Sequence, residues 1–238
     1  MEPLIGNAWQ WNIIVAVVEI VYIFIVIGMM DKLVAKGFPS DLSRKIIHIA
    51  AGSYLLFWPL FATTHWTKYL NVAMPFIWVL LFLGKGLSNN PEDQAVKTMT
   101  RTGNPRELLR GPLMFALMMV AIGILLFNKF SGVVGMAMLT WGDGLAPYFG
   151  QKLGRIKYKT FGSEKTLVGS ATVFVAGVVG SLLMLWITGL MPTPFPAVTL
   201  LIVGLAATIV EALSPRDVDN ILIPVICIVL CYFLTGNL

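Results

Sequence analysis

The sequence predicts an all-α fold: a polytopic integral membrane helical bundle of about eight transmembrane helices, with both termini on the non-cytoplasmic side. Three observations carry that expectation. Of 238 residues, 57% are hydrophobic and only 12% charged, the balance of a membrane protein rather than a soluble one. Apolar runs near the length a span needs, about 20 residues, recur from end to end. Basic residues fall on alternate loops, as the positive-inside rule requires. In hydrocarbon every backbone group must be paired within its own segment, so the spans are read as helices. No strand-like alternation marks a membrane barrel.

Taken in order, the first run is 11–30. No basic stretch precedes it and no small-residue cleavage site follows, so it reads as a retained helix. Glu19 inside it has no evident partner. The second run, 46–62, is preceded by Ser40, a candidate N-cap, with Asp41 in the first turn. The third, 71–84, is short. A surface helix from Pro91 to Thr102 follows, with Val96 and Met99 dipping into the interface and Asn90 before it; it is read as a linker in preference to a lid. Next come 112–127, 131–149 and 167–190, then 197–213 and 221–235. Cys227 and Cys231, four apart on the last helix, are read as packing thiols. One membrane domain, 1–238, is expected, with the chemistry-bearing motifs within 39–224.

The loop after the first run carries Lys32, Lys36, Arg44 and Lys45, and that after the third carries Lys85, Lys97, Arg101, Arg106 and Arg110. The loop after the fifth carries Lys152, Arg155, Lys157, Lys159 and Lys165, and that after the seventh Arg216. The opposite side keeps only Lys68 and Lys129. The four basic loops are therefore expected at the cytoplasmic face. They also suit anionic lipid head groups.

Four polar clusters converge on that face. Arg44, Lys45, His48 and Gly52 share one helical face, with the cations at the water edge and the imidazole about a turn deeper. Gly142-Asp143-Gly144 ends the fifth run, with Gly150 and Gly154 beyond it. A carboxylate in a span costs about 3 kcal/mol, so it is usually functional. Pro147 cannot donate to the carbonyl of residue 143, which leaves two hard oxygens side by side, suited to Mg²⁺. The bland alternative is a buried Asp at a structural kink. Ser163 is placed as the cap of the sixth helix, which puts Lys165, Thr166, Gly169 and Ser170 on one face of its first turns, a ready anion site. Glu211, Asp217, Asp219 and Asn220 crowd a tight turn, again suited to Mg²⁺; Asp219 alone also fits an N-cap.

Several stretches now stand in a fixed order: Arg44-Lys45-x-x-His48-x-x-x-Gly52, Glu107-Leu108-Leu109-Arg110-Gly111-Pro112-Leu113, then Gly142-Asp143-x-x-Ala146-x-x-x-Gly150-x-x-x-Gly154. Lys165-Thr166-x-x-Gly169-Ser170 and Glu211 with Asp219-Asn220-x-x-x-Pro224 complete the set. Together they resemble the polyprenol kinase family, which includes dolichol kinase, phytol kinase and the CTP-dependent diacylglycerol kinase. The Glu-Leu-Leu-Arg-Gly-Pro-Leu stretch is most similar to the phytol kinase branch. The resemblance implies transfer of the terminal phosphate of a nucleoside triphosphate, CTP first and ATP or UTP as alternatives, to a lipid alcohol with Mg²⁺.

On that reading Asp143 and Asp219 are Mg²⁺ ligands with Asn220 and Glu211 close by. Arg44, Lys45 and Lys165 hold phosphates, and Thr166, Gly169 and Ser170 offer the triphosphate a helix N-terminus. Gly142, Gly150 and Gly154 are expected to let the nucleotide approach. His48 is the candidate base for the lipid hydroxyl, imidazole being the side chain that titrates near neutral pH; Asp143 is the competing base. Membrane lipids are expected partners and nucleic acid is not. The rival enzymes are a CTP-dependent diacylglycerol kinase and a CDP-lipid synthase. A transporter is the rival from another class.

Overall fold

The computed structural model describes residues 2–236 apart from 89, 162 and 216; Arg216, counted above among the basic loop residues, lies outside them. Each of the eight apolar runs is helical. α1 (Ala8–Ala35) has 28 residues and is about 42 Å long, more than the roughly 30 Å of a bilayer core. Among the described residues four helical stretches are long and apolar enough to cross a membrane: Ala8–Ala35, Trp66–Leu87, Pro105–Leu125 and Leu167–Thr188. The chain is thus an all-α integral membrane protein with one short hairpin. Large apolar side chains such as Val17, Ile25, Leu80, Val175 and Leu205 point outward. Helices that are apolar all round need such surroundings.

The chain divides into two units, Met1–Leu125 and Leu126–Leu238. In the first, α1 is followed by α2 (Ser40–Gly52), which runs on as a 3-10 helix over Ser53–Leu60. A second 3-10 run, Trp66–Val72, leads into α3 (Ala73–Leu87), so the short third run gains length from its lead-in. α4 (Gln94–Met99), a 3-10 turn at Pro105–Leu109 and α5 (Gly111–Leu125) complete the unit. Its core is aromatic: Tyr54, Trp58 and Phe61 are fully buried. The Tyr54 hydroxyl donates to the Met119 carbonyl at 2.8 Å. At one end Asn12 donates to Ala62 O and Thr67 Oγ1, both at 3.0 Å, and accepts from Ala62 N.

Three local expectations are corrected here. Ser40 is the first helical residue and not the cap; Pro39 precedes α2 without a capping side chain. The surface helix is shorter than 91–102 because Asp93, not Asn90, caps it: the Asp93 carboxylate accepts from Ala95 N at 2.8 Å. Val96 and Met99 are buried rather than interfacial. α4 is also tied down. Lys85 Nζ lies 2.6 Å from Asp93, and Thr98 Oγ1 donates to Asp31 at 2.6 Å. These bonds make it a fixed linker.

In the second unit α6 (Phe130–Ala137), a π-helical turn over Met138–Asp143 and α7 (Gly144–Leu153) form one continuous rod. An antiparallel hairpin follows, β1 (Lys157–Thr160) paired with β2 (Ser163–Thr166) in the register Lys157 to Thr166. Then come α8 (Leu167–Thr188), α9 (Ala197–Leu213) and α10 (Asp219–Thr235). α8 runs antiparallel to the rod, because Gly177 faces Met138, Gly142 faces Val173 and Gly150 faces Gly169. Gly135 abuts the Pro224 carbonyl and Ile228 of α10. Cys227 and Cys231 are buried free thiols.

Asp93 provides a test of the linker. Burial alone would raise its carboxyl, but the Lys85 ammonium and the Ala95 amide outweigh that and hold it below the usual range. A depressed folded value contributes stability above the unfolded carboxyl pKa, about 3.9, and loses it as pH falls through the lower folded value. Asp93→Asn keeps a capping oxygen but loses the charge paired with Lys85, so it is expected to lower stability by about 0.5 kcal/mol at neutral pH, and thermal denaturation should show the gap closing below about pH 4.

Candidate active site

Asp143 ends the π-turn and is 8% exposed. A π-turn places an extra residue in the helix and recurs at functional sites. Pro147 sits four residues on, inside α7, where it withholds a donor from the Asp143 carbonyl. α8 and the turn before it approach the rod closely here. A Cβ on Gly142 would lie 2.9 Å from the Val173 carbonyl, and one on Gly150 would lie 2.8 Å from Thr166 Oγ1. A Cβ on Gly154 would meet Thr166 at 2.6 Å. Gly142, Gly150 and Gly154 therefore serve helix packing in this structure. A nucleotide is not needed to account for them.

The start of α8 differs from the expected one. Ser163 belongs to β2 and does not cap the helix; Thr166 does, its hydroxyl accepting from Gly169 N at 3.0 Å. Lys165 is thus a strand residue, not part of a helical face with Thr166, Gly169 and Ser170. The reason is that the hairpin brings the chain back to Ile156, whose carbonyl accepts from Leu167 N at 3.1 Å, and only there is the backbone free to turn helical. The Thr166 hydroxyl also reaches the Gly150 carbonyl at 3.4 Å. Ser170 Oγ shares a 2.5 Å hydrogen bond with the Tyr158 hydroxyl.

From the hairpin, Lys165 Nζ reaches Glu211 Oε1 at 2.6 Å and also donates to the Glu211 carbonyl. Both side chains are largely buried, 14% and 11% exposed. Thr160 Oγ1 donates to the neighbouring Ala212 carbonyl at 2.5 Å. The hairpin thus clamps the last turn of α9, where helical donors run short, to the first turns of α8. A candidate anchor for phosphate and a candidate metal ligand are brought together, each neutralising the other. Tyr158 and Thr160 were not singled out from the sequence. The turn signal of Phe161-Gly162 between two alternating polar stretches was their only trace.

Asn220 is the second residue of α10 and is 8% exposed, with Asp219 before it. Its side chain donates to Asp217 O at 3.2 Å, and its backbone amide donates to Asp219 Oδ1 at 3.0 Å. Val218 takes the cap position, so Asp219 is a first-turn residue and not the N-cap. The π-turn packs against α8, α9 and α10.

Among the described residues no three His, Cys, Asp or Glu side chains gather as a metal cage. Mg²⁺ takes one or two carboxylates plus substrate phosphates. Asp143, a buried carboxylate with Pro147 four residues on, fits that habit, and Asp219 is the second candidate. Glu211 fits it less well because Lys165 holds its carboxylate.

In the first unit the predicted basic face is on α2. Arg44 lies 3.6 Å from Asp41, Lys45 is half-buried, and the His48 ring stacks on Phe115 with centroids 4.0 Å apart. Glu107 closes the 101–107 turn by accepting from Arg101 N at 2.7 Å and from Thr102 Oγ1.

Known proteins resemble this chain along most of its length. It is 35% identical over 208 residues to a protein of Triticum aestivum named probable phytol kinase, chloroplastic, covering 83% of this chain and 69% of that one. It is 32% identical to a Zea mays protein of the same name, covering 83% and 68%. With phytol kinase 1, chloroplastic, of Arabidopsis thaliana the identity is 31%, covering 83% and 67%. No family model matches the chain. No solved structure matches it either.

The clamp yields a prediction. Removing one partner of a largely buried pair leaves an uncompensated charge, while replacing both with apolar side chains is often neutral. Lys165→Met and Glu211→Met should each lower stability by about 3 kcal/mol, and the double variant should recover most of it in denaturation curves.

Proposed function

The chain belongs to the phytol kinase branch of the polyprenol kinase family, phosphotransferases that act on an alcohol, and on that premise we propose that it phosphorylates an isoprenoid alcohol such as phytol, farnesol or a polyprenol. The donor is a nucleoside triphosphate, CTP in the first place. The observation that carries the reading is the similarity to phytol kinases over 83% of the chain, which includes Asp143 in its π-turn. The proposal extends to eight spans, both termini on the non-cytoplasmic side, and a site on the cytoplasmic face where the basic loops lie.

Phosphoryl transfer requires mainly positioning and charge neutralisation. The alcohol oxygen bonds to the terminal phosphorus, the bond from that phosphorus to the bridging oxygen breaks, and the nucleoside diphosphate leaves. The alcohol proton passes to a base. We assign the base to His48, whose stacking on Phe115 fixes the ring, with Asp143 as the competitor. Asp143 and Asp219 would hold Mg²⁺, assisted by Asn220 and Glu211. Bound there, Mg²⁺ would neutralise the phosphates. Arg44, Lys45 and Lys165 would hold phosphate oxygens. Lys165 uses two of its three N–H donors on Glu211, so a phosphate oxygen would take the third or displace the carboxylate, which would couple nucleotide entry to the clamp. Thr166, Gly169 and Ser170 would act chiefly by keeping the start of α8 in place.

Purified protein with Mg²⁺, CTP labelled on the terminal phosphate and phytol should yield labelled phytyl phosphate and CDP. Release of pyrophosphate would instead mark a cytidylyltransferase. Transfer to diacylglycerol alone would move the chain to the glycerolipid kinases. No labelled lipid from any alcohol with CTP, ATP or UTP would sink the kinase assignment.

A further inference from the structure

Glu19 lies in the middle of α1 and is fully buried. Neither of its carboxylate oxygens has a hydrogen-bond partner among the described residues. An ionisable side chain within a span is costly and normally marks a function.

Its neighbours can be placed by register. Asn12 of α1 bonds Thr67, and further along Phe24 meets Trp78 with ring centroids 5.7 Å apart. The two segments therefore run side by side in the same direction. From Asn12 to Glu19 α1 rises about 10 Å, and from Thr67 to Asn71 the 3-10 run rises about 8 Å. Glu19 and Asn71 thus lie at nearly the same depth.

Asn71 is also fully buried. Its amide nitrogen donates to Lys68 O at 2.9 Å and Gly123 O at 3.2 Å. That fixes which way the amide faces, and Oδ1 is left without a donor among the described residues. The Tyr54 oxygen completes the group. It donates its proton to Met119 O, so its lone pairs remain available. Asn71 Oδ1 and the Tyr54 oxygen converge over Gly123, where a Cβ would lie 2.6 and 3.2 Å from them. Glu19 lies within electrostatic range of Tyr54.

We propose that Glu19, Asn71 and Tyr54 form a binding site for a small monovalent cation in the interior of the first unit. Hard oxygens of this kind suit a hard cation. A single carboxylate balances one positive charge, and the amide and phenol oxygens add neutral dipoles. Mg²⁺ suits it poorly, since that ion dehydrates reluctantly and demands near-ideal octahedral geometry. The site is independent of the phosphotransferase assignment and uses none of its residues.

The test is thermal unfolding of the full chain in detergent without nucleotide or Mg²⁺. Sodium chloride is titrated against N-methylglucamine chloride at constant ionic strength. A ligand that binds only the folded state raises the melting temperature with its concentration. The site predicts a saturable rise with sodium that is lost in Glu19→Gln and Asn71→Leu. Equilibrium binding of radioactive sodium to the unmodified chain should approach one ion per chain, so the test stands even if a variant does not fold. Identical melting curves in both cations with no bound sodium would make Glu19 a protonated carboxyl and overturn the proposal. So would a rise that persists unchanged in Glu19→Gln.

Discussion

The second unit depends on how closely the α6–α7 rod approaches α8. Between membrane helices the surrounding lipid is as apolar as the side chains, so association rests on close packing and on hydrogen bonds between helices. Gly142, Gly150 and Gly154 on one side, with Gly169, Gly177 and Gly180 on the other, remove the side chains that would hold the two apart. The approach puts the Thr166 hydroxyl within reach of the Gly150 carbonyl. It also supports a rod interrupted by both a π-turn and Pro147. A larger residue at Gly142 would press on the Val173 carbonyl, which is backbone and cannot rotate away.

What that packing supports is a chemical end and a mechanical one. Asp143 sits where the rod changes from π to α geometry. The hairpin sits just beyond, holding α8 through Tyr158–Ser170 and α9 through Lys165–Glu211 and Thr160–Ala212. A buried ion pair is weak support for stability but costly to break from one side only. A pair of this kind between a proposed phosphate anchor and a proposed metal ligand links the clamp to the chemistry. Triphosphate would compete with Glu211 for the lysine, and Mg²⁺ would compete with the lysine for the carboxylate.

The helices were legible because hydrophobic runs report directly on the solvent they face; each of the eight apolar runs is helical, and four helical stretches among the described residues are long and apolar enough to cross a membrane. Asp143 was legible as a carboxylate in an apolar run followed by Pro147. The hairpin was not. Its strands have four residues each, carry no apolar face, and are stabilised by partners on α8 and α9. Lys165 and Glu211 are 46 positions apart, so no local spacing announces the pair. Ser163 and Thr166 are equally good caps in isolation, and the choice fell to the strand pairing that precedes them. Asn90 and Asp93 posed the same ambiguity, settled by Lys85. The glycines illustrate a further limit: a phosphate cradle and a close helix crossing call for the same residue. In the first unit Glu19 was visible as an anomaly, but Asn71 and Tyr54 became its company only through tertiary structure.

The account stands or falls on Asp143. The most direct measurement is the rate of lipid phosphate formation by Asp143→Asn beside the unsubstituted chain, at equal amounts of folded protein and saturating Mg²⁺. Asn keeps the shape and removes the charge. If the carboxylate at the π-turn stabilises the transferring phosphate through a metal, the rate should fall by at least about a hundredfold while thermal stability holds. A rate near that of the unsubstituted chain would contradict the central claim and leave Asp143 as a buried structural carboxylate.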